Sequence, residues 1–248
     1  VLPRLNATDL KFLYGVNTET RKLIKRLKQT DLKFLDRVNG ETRALVKRSS
    51  RKGDLKKGFK VSEMSSISTL EFAWEHKSLW PRWRDKETVF CSQVAKTNKL
   101  ELLKWIREEK KCRWDQRTIY VAAGQGNLEM VKYCVANECP INEYACANAA
   151  SGGQLEVLKY LREEAKALWD KRTASWAARN GHLHILEYLV ERKFDQYSKY
   201  ACRNAAENGH LDCLQYLHET AKAPWDEGAV REARKNNRPE CLQYLLDI

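Results

Sequence analysis

No run of apolar residues in this 248-residue chain approaches the roughly 18–20 needed to cross a bilayer, which excludes a transmembrane helix. The opening VLPRLNATDLKF lacks the apolar core of a secretory signal and also lacks an initiator Met, so a removed organelle-targeting peptide, or a chain cut from a longer one, stays open. No Cys-x-x-Cys pair occurs among the eight cysteines, which argues against the disulfide or zinc reading that their number invites. There is no nucleophile-elbow or phosphate-loop pattern, and the five histidines define no triad. We therefore expect no enzyme, no metal site and no cofactor. Acidic residues are also scarce in one place: residues 1–60 hold 17 Lys and Arg against 6 Asp and Glu, a balance of +11 within the chain's +12, so the remainder is close to neutral.

What the chain does have is self-similarity. NGHLHILEYL at Asn180 repeats a frame seen as NKLELLKW at Asn98, GNLEMVKY at Gly126, GQLEVLKY at Gly153, GHLDCLQY at Gly209 and NRPECLQY at Asn237. Its lead position falls on Leu100, Leu128, Leu155, Leu183, Leu211 and Pro239, at spacings of 28, 27, 28, 28 and 28 residues. Two residues before each lead stand only Gly or Asn, the residues that tolerate a left-handed backbone where one helix stops. Each copy is thus expected to be two antiparallel helices. The first carries paired small residues, Ala122-Ala123, Ala149-Ala150, Ala177-Ala178 and Ala205-Ala206, that permit close stacking. The second carries apolar residues at lead, +2 or +3, and +6, with an aromatic at +5 in every copy, a helical stripe read as core.

The same frame absorbs the apparent chemistry. Cys91, Cys146 and Cys202 occupy a slot that other copies fill with Ile119, Ala174 and Val230, and Cys134, Cys213 and Cys241 replace core aliphatics. All eight cysteines are expected to be reduced thiols in an intracellular protein, cytoplasmic or nuclear. His182 and His210 fill a polar turn slot shared with Lys99, Asn127, Gln154 and Arg238, and His184 an outer-surface slot, so the His-x-His pair is not read as a metal site. AAGQGNLE at Ala122 is likewise the inter-helix turn. In the connectors (WDQRT at Trp114, NEYA at Asn142, WDKRT at Trp169, FDQYS at Phe194, WDEGA at Trp225), Asp or Asn begins a turn and Thr118, Thr173 or Ser198 caps the following helix. The Trp and Phe are expected to wedge the connector onto the neighbouring copy.

AARNGHLHILEYL and AAENGHLDCLQYL resemble the AAxxGHxxxVxxLL heart of the ankyrin-repeat family, over residues 86–248 and more loosely from Ile67, where SISTLEFAWEH looks like a degenerate second helix. The unit is shorter than the family's roughly 33 residues and lacks its TPLH signature. Short repeats with a W-D loop are similar to those of ankyrin proteins in algae and large DNA viruses. The resemblance implies an all-α, ankyrin-type helix-turn-helix solenoid with reduced or absent β-hairpins, preceded by a small basic helical segment. The organisation expected is a duplicated basic segment at 1–46, a basic linker at 47–60, a degenerate first repeat or capping helices at 61–85, and repeats at 86–248.

Such a stack usually binds through residues that vary on its concave face. Seven before the lead stand Gln93, Val121, Asn148, Trp176, Asn204 and Glu232, and four before stand Lys96, Gly124, Ser151, Arg179, Glu207 and Lys235. Trp176 is either an exposed anchor or a filler over an adjacent loop. With Arg172, Arg179, Arg203 and Arg231 nearby, a protein partner presenting an acidic or phosphorylated peptide is expected. The leading function is a scaffold or adaptor. A second reading makes residues 1–60 an RNA- or anionic-surface-binding segment. A third rests on Thr8–Arg26 and Thr30–Arg48, identical at fourteen of nineteen positions, whose VNxETRxL weakly resembles the start of an F-box of a ubiquitin-ligase substrate adaptor. Leu246 and Ile248 are expected to be exposed at the last copy, where the chain would dock, dimerise or continue.

Overall fold

The computed structural model describes residues 61–64, 66–75 and 85–248; the expectations for 1–46 and 47–60, the F-box resemblance included, lie outside the described residues. The described residues form helices and no strand. The chain divides into two compact units, Val1–Trp114 and Asp115–Ile248.

In the first unit, a 3-10 turn at Val61–Glu63 precedes α1 (Ile67–Glu75), α2 (Lys86–Ala95) and α3 (Leu100–Glu108). Leu70, Phe90, Leu102, Leu103 and Ile106 are fully buried, and Trp74 meets Phe90 edge-on at 5.6 Å. Helix α1 packs beside α3 as second helices of adjacent copies do, with Lys110 bridging to Glu71 at 2.9 Å.

The second unit is an all-α solenoid. Its first helices are α4 (Gln116–Gly124), α6 (Glu143–Ser151), α8 (Lys171–Arg179), α10 (Lys199–Asn208) and α12 (Glu227–Lys235). The second helices are α5 (Leu128–Ala136), α7 (Leu155–Lys159, prolonged by a π-helical turn at Tyr160–Glu164), α9 (Leu183–Glu191), α11 (Leu211–Glu219) and α13 (Pro239–Asp247). First helices stack on one another in sequence, and the paired alanines at 122–123, 149–150, 177–178 and 205–206 are buried without exposure. On the second helices, the +2 and +6 residues are buried throughout. The aromatic at +5 departs from the expected core position: Tyr188 alone is buried, whereas Tyr133, Tyr160, Tyr216 and Tyr244 sit half-buried at the stripe's edge. The phenol explains this, because a hydroxyl left in the core would lack a partner. Half-buried Tyr244 donates to Glu219 at 2.9 Å, and the one buried phenol, Tyr188, has its partner in Glu163 at 3.0 Å.

All six turn positions adopt positive φ: Asn98 58°, Gly126 75°, Gly153 68°, Gly181 72°, Gly209 82° and Asn237 54°. At the glycines a Cβ would also strike the next copy, since Gly153 lies against the His182 ring and Gly181 against the His210 ring. Four polar side chains thus lie each across the preceding turn. His182 Nε2 is 3.1 Å from the Ser151 carbonyl, His210 Nε2 is 3.1 Å from that of Arg179, Arg238 Nε is 3.2 Å from that of Glu207, and Gln154 covers Gly126. His184 adds a bond to the Gly153 carbonyl at 3.0 Å, and no metal-binding group of three occurs among the described residues. The histidines are rungs between copies.

The capping expectation is corrected. Asp115, Asn142, Asp170 and Asp226 are themselves the N-caps, each side chain accepting the backbone N–H two residues on at 2.9–3.0 Å. Thr118 and Thr173 lie one turn inside, fully buried, and their hydroxyls have no hydrogen-bond partner. Ser198 holds the N-cap position of α10 but makes no capping bond. A carboxylate or Asn one turn earlier reaches the free N–H groups first.

A second left-handed column follows α3, α5, α7, α9 and α11, at Lys111, Glu138, Lys166, Lys193 and Lys222, with φ from 50° to 59°. The residue after each, Cys112, Cys139, Ala167, Phe194 or Ala223, is a buried plug whose N–H returns to the helix. The return takes two forms that alternate along the chain. After the copies led by Leu128 and Leu183 it spans five residues, Cys139 to Cys134 and Phe194 to Leu189. After those led by Leu100, Leu155 and Leu211 it spans six, Cys112 to Ile106, Ala167 to Leu161 and Ala223 to Leu217. Only the six-residue form carries a basic residue at +7 beside a connector Trp: Arg107 stacks over Trp114 at 3.9 Å, Arg162 over Trp169 at 4.5 Å, and His218 meets Trp225 at 6.2 Å. The true period is two copies. Trp169 also meets Tyr188 and Phe194 edge-on at 6.4 and 5.4 Å, which is the wedge that its connector was expected to make.

All eight cysteines are buried and free. Burial pushes the thiols of Cys146, Cys202 and Cys213 up to about 12, so none of these three is a thiolate at neutral pH. Leu246 and Ile248 are exposed, as expected for the last copy.

Candidate functional site: the first-helix face

The outward face of the first helices in Asp115–Ile248 is the surface on which the variable slots fall. Slot −7 is half-buried in every copy: Val121, Asn148, Trp176, Asn204 and Glu232 each keep an exposed side. Four of the expected binding residues are taken up by bonds within the stack. Arg172 Nη2 bridges Asp170 at 2.6 Å and Glu143 of the previous copy at 2.7 Å, and its guanidinium stacks over Tyr144 at 3.7 Å. Arg203 bridges Glu232 of the next copy at 2.9 Å, and this contact holds the Glu232 carboxyl below its ordinary range. Asn204 donates to the Ser175 carbonyl at 3.0 Å, and Asn148 donates to that of Tyr144 at 2.8 Å. Glu207 is half-buried, and its carbonyl receives Arg238. Arg179 and Arg231 are exposed and form no ion pair among the described residues.

Trp176 is half-buried, and its indole lies 6.0 Å from the Tyr144 ring. Tyr144 lies in turn 5.7 Å from Tyr120. Tyr120 donates to the Asn142 side chain, whose oxygen also caps α6, so that ring is fixed in place. Three rings from three successive first helices therefore form one row, clamped in the middle by Arg172. The next first helix adds Tyr200, exposed at 49%. The sequence reading named Trp176 and missed Tyr120, Tyr144 and Tyr200. A signal was present eleven residues before the lead, where Arg117, Tyr144, Arg172 and Tyr200 alternate cation and phenol.

A row of Tyr and Trp backed by Arg has the composition of protein-binding hot spots. Its groups supply no nucleophile paired with a base and no metal-ligand set among the described residues. The family model for ankyrin repeats matches residues 146–230, in three copies. This segment is an ankyrin-repeat array. Ankyrin repeats generally mediate protein–protein interactions, and the family is typically non-enzymatic. The matched residues include α8 and α10, and hence Trp176, Arg179 and Tyr200. No curated protein matches the chain significantly. No described helix is long and apolar enough to cross a membrane.

Proposed function

We propose that this protein is a scaffold or adaptor that binds a partner protein across the first-helix face of Asp115–Ile248, the side that ankyrin geometry makes concave. The observation that carries the reading is the Tyr120–Tyr144–Trp176 row, with Tyr200 exposed on the next first helix. Because Arg172 and Arg203 already have carboxylates, attraction for an acidic peptide rests on Arg179 and Arg231. The partner segment is therefore one that covers aromatic rings and carries few acidic residues, rather than a highly acidic tail. The charge of residues 1–60 favours a second reading, in which that segment holds RNA or another anionic surface.

The test is affinity capture from native lysate with the intact chain and an intact Trp176→Ala/Arg179→Glu variant, washed at low and high salt. Partners that resist salt and are lost from the variant support the first-helix face. Partners kept by the variant but released by salt contradict it and favour the basic segment.

A further inference from the structure

The other side of the second unit holds a cavity of about 330 Å³ lined by Arg162, Glu163, Lys166, Trp169 and Arg192. The local backbone explains why it exists. After Leu155 the second helix widens into the π-helical turn Tyr160–Glu164, a form often found at functional sites, and Lys166 then turns the chain with φ of 54°. That path carries Arg162, Glu163 and Lys166 outward around the Trp169 indole. Arg192, just past α9, closes the opposite wall. Arg162 donates to the Ala167 carbonyl at 3.2 Å while stacked on Trp169. Arg192 bridges Glu163 at 2.7 Å, and the Tyr188 hydroxyl donates to the same oxygen at 3.0 Å. Lys166 caps the Glu163 carbonyl. Three cations and one carboxylate thus line the cavity; only Arg192 is paired with Glu163, while Arg162 and Lys166 reach backbone carbonyls, so the lining carries two surplus positive charges in a concave, half-exposed site.

The last such turn supplies an internal comparison. It has the same six-residue return and the same Glu, Lys and Trp, as Glu219, Lys222 and Trp225, but His218 replaces the first Arg, and the chain places Ile248 where Arg192 stands. That turn forms without the two arginines, so the fold does not require them. At the first such turn Arg107 repeats Arg162, stacked on Trp114 and donating to the Cys112 carbonyl, while Asn137 stands where Arg192 does, so Arg192 is the cation particular to this cavity.

We propose that this cavity binds a phosphomonoester, carried on a phosphorylated serine or threonine of a protein partner. A phosphoserine brings nearly two negative charges and three acceptor oxygens, which match two surplus cations, whereas a carboxylate leaves one unpaired. Arg162 already covers a face of the indole, so the site offers an anion pocket rather than a stacking platform for a base. Leu168, the chain neighbour of Trp169, is 67% exposed and would offer an apolar contact to a side chain flanking the phosphate in a peptide. The site is independent of the first-helix face.

Calorimetry on the intact chain at low salt tests this with a phosphoserine peptide bearing a leucine neighbour, its unphosphorylated twin, and inorganic phosphate. The phosphopeptide is expected to bind, the twin not to bind, and inorganic phosphate to bind more weakly. Lys166→Gln, which leaves the Arg192–Glu163 pair intact, and Arg192→Gln are each expected to weaken the phosphopeptide by about tenfold, with unchanged circular dichroism. Undiminished binding by both variants, or no binding by the wild type, overturns the site. Equal affinity for inorganic phosphate and phosphopeptide overturns the peptide as its source.

Discussion

Thr118 and Thr173 show how a residue type can mislead. Thr before an apolar run signals an N-cap, yet here the Asp three positions earlier takes that role and the Thr is swallowed by the core. A buried hydroxyl without a partner costs about 1–3 kcal/mol. Thr173→Val keeps the shape and removes the orphan group, so it should raise stability by about 1 kcal/mol, a melting shift of about 2–4 °C. A lowered melt would mean that the hydroxyl does cap. The left-handed residues divide in the same way. Gly and Asn before each lead were legible because few other residues take that conformation cheaply. Lys111, Glu138, Lys166, Lys193 and Lys222 were not, because nothing in a Lys or Glu announces it. The buried plug after each one enforces the turn, and that is a tertiary effect.

At the scale of the element, helix pairing and core positions followed from periodicity, since burial of the +2 and +6 residues is a direct consequence of helical geometry. The rungs between copies did not, because they join residues about 31 apart through backbone carbonyls. Their electrostatics make a prediction. Burial of the His182 ring against the previous turn holds its pKa below the ordinary 6.5, so the fold favours the neutral imidazole. The unfolded chain then binds the proton more readily, and this contribution is present above 6.5 and lost as pH falls below it. The melting temperature should decline as pH drops from 7 toward 5.5, and His182→Gln, the side chain already used at Gln154, should flatten part of that decline. An equal slope in the variant would remove His182 from the account. The ion pairs of Asp226 and Glu232, whose carboxyls are held below their ordinary values of 3.8 and 4.5 by Lys199 and Arg203, fail at lower pH and stay separable.

At the scale of the molecule, a stack of copies makes function a property of surfaces rather than of any single pocket. The sequence identified the repeat and the slots that vary, and it picked out Trp176. It named Arg172 and Arg203 without their carboxylate partners Glu143 and Glu232, which lie one copy away, and it passed over Tyr120 and Tyr144, which line up with Trp176 only once three helices are stacked. The alternation of two connector types was present in the residues but was hidden by aligning every copy to one frame. The two candidate surfaces are an aromatic row on the first helices and a cationic cavity where a second helix turns back.

The most direct test of the central claim is photo-crosslinking in native lysate, with benzoylphenylalanine placed in the intact chain at Tyr200 on the first-helix face or at the exposed Glu187 on a second helix. The account predicts a discrete protein adduct from position 200 and none from 187. Adducts from 187 alone, or adducts from position 200 that nuclease rather than protease removes, would contradict it.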